Sequence, residues 1–229
     1  MSSIYITGDI HRDCDIDKLT AFNFPDQEEL TKDDYLIVCG DFGMVWDDSG
    51  RDLYWRKWCQ ERNFTTLFVD GNHENFDLLK NYPVTEWNGG SVQIINDSII
   101  HLMRGQVYTI NGAKFFTFGG GKSVDMYCRK EGKSWWPEEQ PSDEEFTEAD
   151  KNLEENNWKV DYVISHTTSL KVMHGPLHSQ REHTKLNEFF DDLEVRLDYK
   201  HWYFGHFHRD KDFDDYKCSI VFQRVIKLM

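Results

Sequence analysis

Five short apolar runs in this chain each stop at a residue with chemistry, and that arrangement limits the fold more than any other feature. Ser3–Gly8 ends at Asp9-Ile10-His11, Tyr35–Cys39 at Gly40-Asp41, and Thr66–Val69 at Gly71-Asn72-His73-Glu74. Tyr162–Ser165 ends at His166, and Trp202–Gly205 at His206-Phe207-His208. Runs this short and this apolar predict strands, and the unbroken Tyr35–Cys39 run predicts burial on both faces. Asp15–Phe22 and Asp52–Arg62 have helical patterning between the first three strands. The β-α-β-α-β alternation predicts a parallel sheet with right-handed crossovers. Such a sheet delivers the residues after its strands to one rim, where α/β proteins place their sites.

The middle of the chain changes character. Val92–Ile95, Ser98–Met103, Gln106–Ile110 and Ala113–Phe118 read as short strands joined by tight turns such as Asn111-Gly112. They predict an antiparallel section that forms a second sheet or extends the first. A Gly119-Gly120-Gly121 turn leads into a polar, Trp-bearing stretch up to Pro141. Ser142 and Glu145 fit a capping box that opens a helix to about Asn157. Val172–His183 reads as a loop, Thr184–Leu197 as a helix, and Ser219–Ile226 as a closing strand. With no internal repeat, low-complexity segment or linker, residues 1–229 read as one domain.

Of 229 residues, 39% are hydrophobic and 15% aromatic, enough to build a core. The net charge of −15 argues against an extended nucleic-acid-binding surface, which needs clustered Lys and Arg. A local basic pocket stays possible. The start of the chain has no basic segment leading into an apolar one, and no run is long enough to span a bilayer. Five scattered cysteines without a CxxC pair read as reduced thiols in a cytoplasmic protein. The sequence does not specify an oligomeric state.

Asp-x-His places two side chains on the same side of an extended segment, so Asp9 and His11 can grip one ion. His206 and His208 repeat that spacing and can share an ion or serve two adjacent ones. A glycine precedes Asp9, Asp41, Asn72 and His206, where positive φ and close packing would turn the next side chain inward. Taken singly, an Asp after Gly is ordinarily a turn residue, and an isolated His ordinarily a hydrogen-bonded one. Five strand ends in order, each with a ligand type, point to a metal site, most simply a two-metal site.

Gly8-Asp9-Ile10-His11, Gly40-Asp41, Gly71-Asn72-His73-Glu74, His166 and Gly205-His206-Phe207-His208 together resemble the full signature of the calcineurin-like metallophosphoesterase superfamily. The resemblance spans nearly the whole chain. It implies an α/β fold, a four-layer α/β/β/α sandwich with two central mixed β-sheets. It also implies a metal-dependent phosphoric ester hydrolase with a dinuclear site. Asp9, His11, Asp41 and His208 would hold one ion; Asp41 would bridge to a second held by Asn72, His166 and His206. His73 would face the phosphoryl group rather than bind metal. The two ions would be divalent or trivalent, with Mn2+ the default and Fe, Zn or Co the alternatives for a donor set lacking thiolate. Four positive charges against the carboxylates Asp9 and Asp41 leave such a site net positive, which attracts a phosphate ester. A water bridging the ions would be acidified to hydroxide near neutral pH and attack phosphorus in line. His73 would stabilise the phosphoryl oxygen or protonate the leaving group.

The chain departs from well-known members in two places. Arg12 stands where many have Gly, and Gly40-Asp41-Phe42-Gly43 lacks the Asp-Arg-Gly extension of eukaryotic-type protein Ser/Thr phosphatases. A substitute cation is then expected at the phosphate. Residues 119–139 resemble a segment of small bacterial and phage-type members and supply Arg129; Arg12 and Arg209 flank motifs and are further candidates. Lys122 follows three glycines, but the P-loop spacing is absent. Trp135 and Trp136 are candidates for stacking on a base or aryl group, although aromatics near a turn ordinarily pack. His174 and His178 could rim the pocket. The leading expectation is a phosphomonoesterase. A phosphodiesterase or nuclease acting on nucleotides or single-stranded ends is the alternative, and a non-catalytic metal-binding scaffold a third.

Overall fold

The computed structural model describes residues 2–229. Strands β1 (Ile4–Thr7), β2 (Tyr35–Val38) and β3 (Thr65–Phe68) run parallel, with Ile4 level with Tyr35 and Tyr35 with Thr65. Helix α1 (Gly50–Gln60) makes the second crossover, its start capped by Ser49 accepting from the Arg51 and Asp52 amides. The first crossover differs from expectation. Only a 3-10 turn, Ile16–Leu19, forms within Asp15–Phe22, and a second follows at Pro25–Glu29. Thr20 turns extended and Phe22 is exposed, so too few apolar positions remain before Pro25 to sustain an α-helix.

After α2 (Phe76–Leu79), strands β4 (Val84–Trp87), β5 (Gly90–Asn96) and β6 (Ile99–Leu102) form a meander, and β6 lies parallel to β3. They extend the first sheet. β7 (Gln106–Ile110) and β8 (Ala113–Phe118) form a hairpin that begins the second. The middle section therefore does both things its pattern allowed. Asn111 and Gly112 sit at φ 53° and 81°, as a two-residue hairpin turn of this hand requires. α3 (Asp143–Glu155) carries the expected Ser142/Glu145 capping box. β9 (Tyr162–Ser165), α4 (Leu170–His174), α5 (Lys185–Arg196), β10 (His201–Phe204), β11 (Lys211–Phe213), β12 (Cys218–Ile220) and β13 (Ile226–Lys227) complete the chain.

The first sheet has the order β13-β1-β2-β3-β6-β5-β4, the second β11-β12-β10-β9-β8-β7. Ile4, Ile6, Ile37, Leu67 and Leu102 of the first pack against Tyr108, Phe115, Ile164 and Tyr203 of the second, forming a shared apolar layer. Tyr5, Leu36, Val38 and Phe68 point the other way, against Leu19, Phe24 and Cys59. Phe116, Phe118, Val163 and Phe204 pack under Phe146, Leu153, Phe190 and Leu193 of α3 and α5. Alternation along each strand thus separates the apolar residues into three layers, and an α/β/β/α sandwich is what buries them all.

Two sequence expectations fail in the last third. Ser219–Ile226 is not one strand: β12 pairs parallel with β10, while β13 pairs antiparallel with β1 in the other sheet. Between them the backbone finds side-chain partners instead of a ladder. Asp210 accepts from the Phe222 and Gln223 amides at 2.8 and 3.0 Å, and Thr7 Oγ1 donates to the Arg224 carbonyl at 3.0 Å. The expected loop Val172–His183 begins inside α4, which Ser169 caps by accepting from the Val172 amide. Among the described residues, no helix is long and apolar enough to cross a membrane.

Candidate metal centre

Asp9 and His11 follow β1, Asp41 follows β2, and Asn72 and His73 follow β3. His166 follows β9, and His206 and His208 follow β10. The first three strands belong to one sheet and the last two to the other, so the site spans the seam where both sheets end. Its backbone is strained. His11, Asp41, His206 and His208 have φ of 47°, 48°, 66° and 49°, a region costing about 1–3 kcal/mol per non-glycine residue.

Here the expectation about glycine is corrected. Of the four glycines before Asp9, Asp41, Asn72 and His206, only Gly40 has positive φ, at 87°. The others serve close approach. A Cβ on Gly205 would lie 2.1 Å from Asp9 Oδ1, and one on Gly71 2.1 Å from Asp41 Oδ1. The left-handed turns are held by hydrogen bonds. The Ile10 and His11 amides both donate to the Asp41 carbonyl, at 3.0 and 2.8 Å. The buried Glu74 carboxyl accepts from the Phe42 amide at 2.7 Å and the Gly43 amide at 3.2 Å. The His206 amide donates to Asp9 Oδ1 at 3.0 Å, and the His73 amide to Asp41 Oδ1 at 2.7 Å.

The side chains then converge. His208 Nε2 lies 3.1 Å from Asp9 Oδ2, and His11 Nε2 3.1 Å from Asp41 Oδ2. His166 Nε2 is 3.1 Å from Asn72 Oδ1, 3.4 Å from Asp41 Oδ1 and 3.2 Å from His206 Nδ1. Tautomers follow from the outer partners. His166 Nδ1 faces the Cys39 carbonyl at 2.9 Å and His11 Nδ1 faces Asp15 Oδ2 at 2.8 Å, so both Nδ1 atoms carry the hydrogen. Their Nε2 lone pairs point into the site. Asn72 Nδ2 donates outward to Ser123 Oγ at 3.2 Å, leaving its carbonyl turned inward.

Lone pairs from two carboxylates, one amide and four imidazoles therefore face one another, which is unfavourable unless cations lie among them. The bare chain answers with protons. Burial works to lower His166, but Asp41 and Asp9 overcome it and raise the imidazole to about 10. Burial likewise opposes the rise of His11 to about 9, driven by Asp41 and Asp9. Protons held this way are those that metal ions displace on binding. His206 Nε2 is buried without a hydrogen-bond partner, with Glu182 Oε1 3.7 Å away. The oxygen and nitrogen donors thus fit divalent ions. Asp9, His11 and His208 form one trio of atoms within 4.8 Å, and His11, Asp41 and His73 another. His73 consequently sits at ligand range as well as at the mouth of the site.

The Arg129 guanidinium spans the His73 ring, 3.2 Å from Nδ1 and 3.1 Å from Nε2, while its Nε pairs with Asp125 at 2.7 Å. Burial, seconded by the Arg129 charge, outweighs the pull of Asp41 and lowers His73 to about 4. A cavity of about 160 Å³ opens over Asp41, Asn72 and His73, with Lys122, Arg129 and Arg181 around it. Arg12 lines a second cavity beside His11 and His73, but its guanidinium is taken up by Asp52 Oδ1 at 2.7 Å. Asp52 also accepts from the Trp46 and Asp47 amides, both at 2.7 Å, so Arg12 helps brace a loop. Trp136 is buried, donates to Asp77 Oδ2 at 2.8 Å and packs edge-on against Trp46, which removes it as a stacking platform.

Several residues of the site left no signal in the sequence. Ser123 Oγ donates to the buried Glu139 Oε1 at 2.8 Å, and the Ser123 amide to Oε2 at 3.0 Å. Burial raises the Glu139 carboxyl to about 7 against those two bonds. Glu182 accepts from Thr167 and from the Lys122 amide beneath His206. Lys18 is buried under β1 and donates to the carbonyls of Asp9, at 2.5 Å, and of Phe222, tying the rim to the segment between β12 and β13. Glu139 and Ser123 lay in the segment that resembles small bacterial and phage-type members, but their spacing of 16 residues has no local meaning.

A family model described as calcineurin-like phosphoesterase matches residues 2–210. No curated protein matches the chain. Solved structures that are similar include a phosphopantetheinyl hydrolase from Mycobacterium tuberculosis, 16% identical, with a TM-score of 0.45 over 96% of this chain and 89% of that one.

Proposed function

The chain belongs to the calcineurin-like phosphoesterase family, a metal-dependent phosphoester hydrolase, and on that premise we propose that it is a dinuclear phosphomonoesterase. The observation that carries the reading is the convergence of seven inward-facing donors on one rim, with Asp41 between two groups of them. Asp9, His11, Asp41 and His208 would hold one ion, and Asp41, Asn72, His166 and His206 the other. When bound, the ions supply an acidified water as nucleophile and positive charge for the phosphoryl oxygens. The chain's own residues do the rest. Backbone amides of His73 and His206 fix the two carboxylates, so neither has to reorganise during turnover. His73 and the Arg129 guanidinium beside it present N–H groups at the mouth, where phosphoryl oxygens would enter.

A guanidinium fixed at that position favours a dianionic monoester over a monoanionic diester. The ligand set contains no thiolate, and the proposal takes Mn2+ as the metal, with Fe, Zn and Co as alternatives. Five free cysteines, three of them buried, suit a reducing compartment, and the proposal places the enzyme in the cytoplasm. The test compares Mn-loaded protein on p-nitrophenyl phosphate and bis-p-nitrophenyl phosphate. Higher kcat/KM on the monoester supports the proposal. A clear preference for the diester would replace it with the phosphodiesterase reading, and bound metal without turnover of either with a scaffold.

A further inference from the structure

We propose that a pocket adjoining the metal centre, built around Arg181 and Arg209, binds a second phosphoryl group of the substrate, so that preferred substrates are compact molecules with two phosphates. The inference rests on the phosphoesterase reading above and specifies its substrate class.

The two cavities share one lining side chain. Arg181 lines the cavity over Asp41, Asn72 and His73, and also a neighbouring one of about 370 Å³. Arg209, His178, Ser179 and Gln180 contribute polar groups to that second cavity, and Phe207 an apolar wall. Phe207 stands between His206 and His208, and Arg209 follows His208 directly. The segment that would carry two metal ligands therefore also builds the neighbouring pocket.

The arginines there are available. Arg12, Arg51, Arg56, Arg104, Arg129, Arg196 and Arg224 each pair with a carboxylate. Among the described residues, Arg62, Arg181 and Arg209 have no carboxylate within 4.0 Å, and Arg62 lies over the Trp58 ring at 4.2 Å. The remaining two share this pocket, whose described lining contains no carboxylate. In a chain of net charge −15, two unpaired guanidinium groups beside a metal centre form a local positive field. Guanidinium is suited to bidentate capture of phosphate. The surrounding acidity repels a long polyanion, so the matching ligand is one extra phosphate close to the scissile one.

The experiment uses the Mn-loaded full chain with adenosine 3′,5′-bisphosphate against adenosine 5′-monophosphate, and fructose 1,6-bisphosphate against fructose 6-phosphate. Turnover and calorimetric binding are measured for wild type, Arg181→Ala, Arg209→Ala and the double variant. The expected result is a preference of roughly tenfold or more for at least one bisphosphate, falling toward unity in the double variant. A wild-type ratio near unity for both pairs, in binding and turnover alike, would overturn the second site. So would a preference that survives the double substitution. Preferential, arginine-dependent binding with no hydrolysis would support the second site while overturning the phosphoesterase reading.

Discussion

Ser123→Ala separates a loop residue from a residue that aims a metal ligand. Ser123 Oγ accepts from Asn72 Nδ2 at 3.2 Å and donates to Glu139 Oε1 at 2.8 Å. Alanine leaves the Asn72 N–H without its acceptor in a buried site, a loss of about 1–3 kcal/mol. The amide is then free to rotate and turn its nitrogen toward where the ions would lie. A residue that orients a ligand in this way is worth roughly 10–100-fold in metal affinity, or about 1.4–2.8 kcal/mol, which agrees with the hydrogen-bond value. The loop itself should persist, because the Ser123 amide still donates to Glu139 Oε2 at 3.0 Å. Calorimetric titration of the apo protein with Mn2+ reads the effect, with metal analysis for stoichiometry. The expected outcome is a weakened second ion and an undisturbed first. Asn72→Ala completes a double-mutant cycle: if Ser123 acts through Asn72, its substitution adds little once the amide is gone. Equal affinity in Ser123→Ala, or additive losses in the double variant, would refute the reasoning.

His73→Ala should lower kcat by roughly 100-fold or more while keeping both metals by elemental analysis; loss of one metal would make His73 a ligand. Arg129→Ala should chiefly raise KM for the monoester, with partial recovery in Arg129→Lys, since lysine keeps charge but not the fork; unchanged kinetics would exclude contact with phosphate. Gly205→Ala forces a Cβ to 2.1 Å from Asp9 Oδ1 and 2.6 Å from the Cys39 carbonyl, so metal binding or folding should fail, and a stable variant with full metal content would contradict the packing. Just before Gly71-Asn72, Arg104 bonds to Asp70 Oδ2 at 2.5 Å and His101 Nε2 lies 3.2 Å from Oδ1. Burial opposes ionisation, but Arg104 and His101 hold Asp70 well below the usual carboxylate range. A depressed carboxyl contributes stability above its unfolded value, and that stability is lost as pH falls. The gap in unfolding free energy between wild type and Asp70→Asn should narrow below about pH 4; a gap constant from neutral to acid would refute it.

The strands that end at the rim, the parallel direction of the first three and the chemical order of the residues after them were legible in the sequence, because each depends on a local pattern. An apolar run such as Tyr162–Ser165 reads as a strand wherever it is placed, and the residue after it reaches the rim. The hairpin at Asn111-Gly112 and the capping box at Ser142 are equally local. What the sequence could not determine depends on distance. The Ser219–Ile226 pattern gave no sign that β12 and β13 lie in different sheets, because alternation does not encode a partner. Nor could it show that left-handed φ falls on His11, Asp41, His206 and His208 and, of the glycines before the ligands, on Gly40 alone; hydrogen bonds between rim segments remote in the chain hold those turns. The sequence put Arg129 first and Arg12 second as the cation at the phosphate, but on nothing firmer than nearness to a turn or a motif. Tertiary structure committed one to Asp52 and brought the other over His73, because ion pairing is settled by neighbours remote in the chain. For the same reason Ser123, Glu139, Lys18 and Arg181 acquire their roles only when both sheets close around one rim.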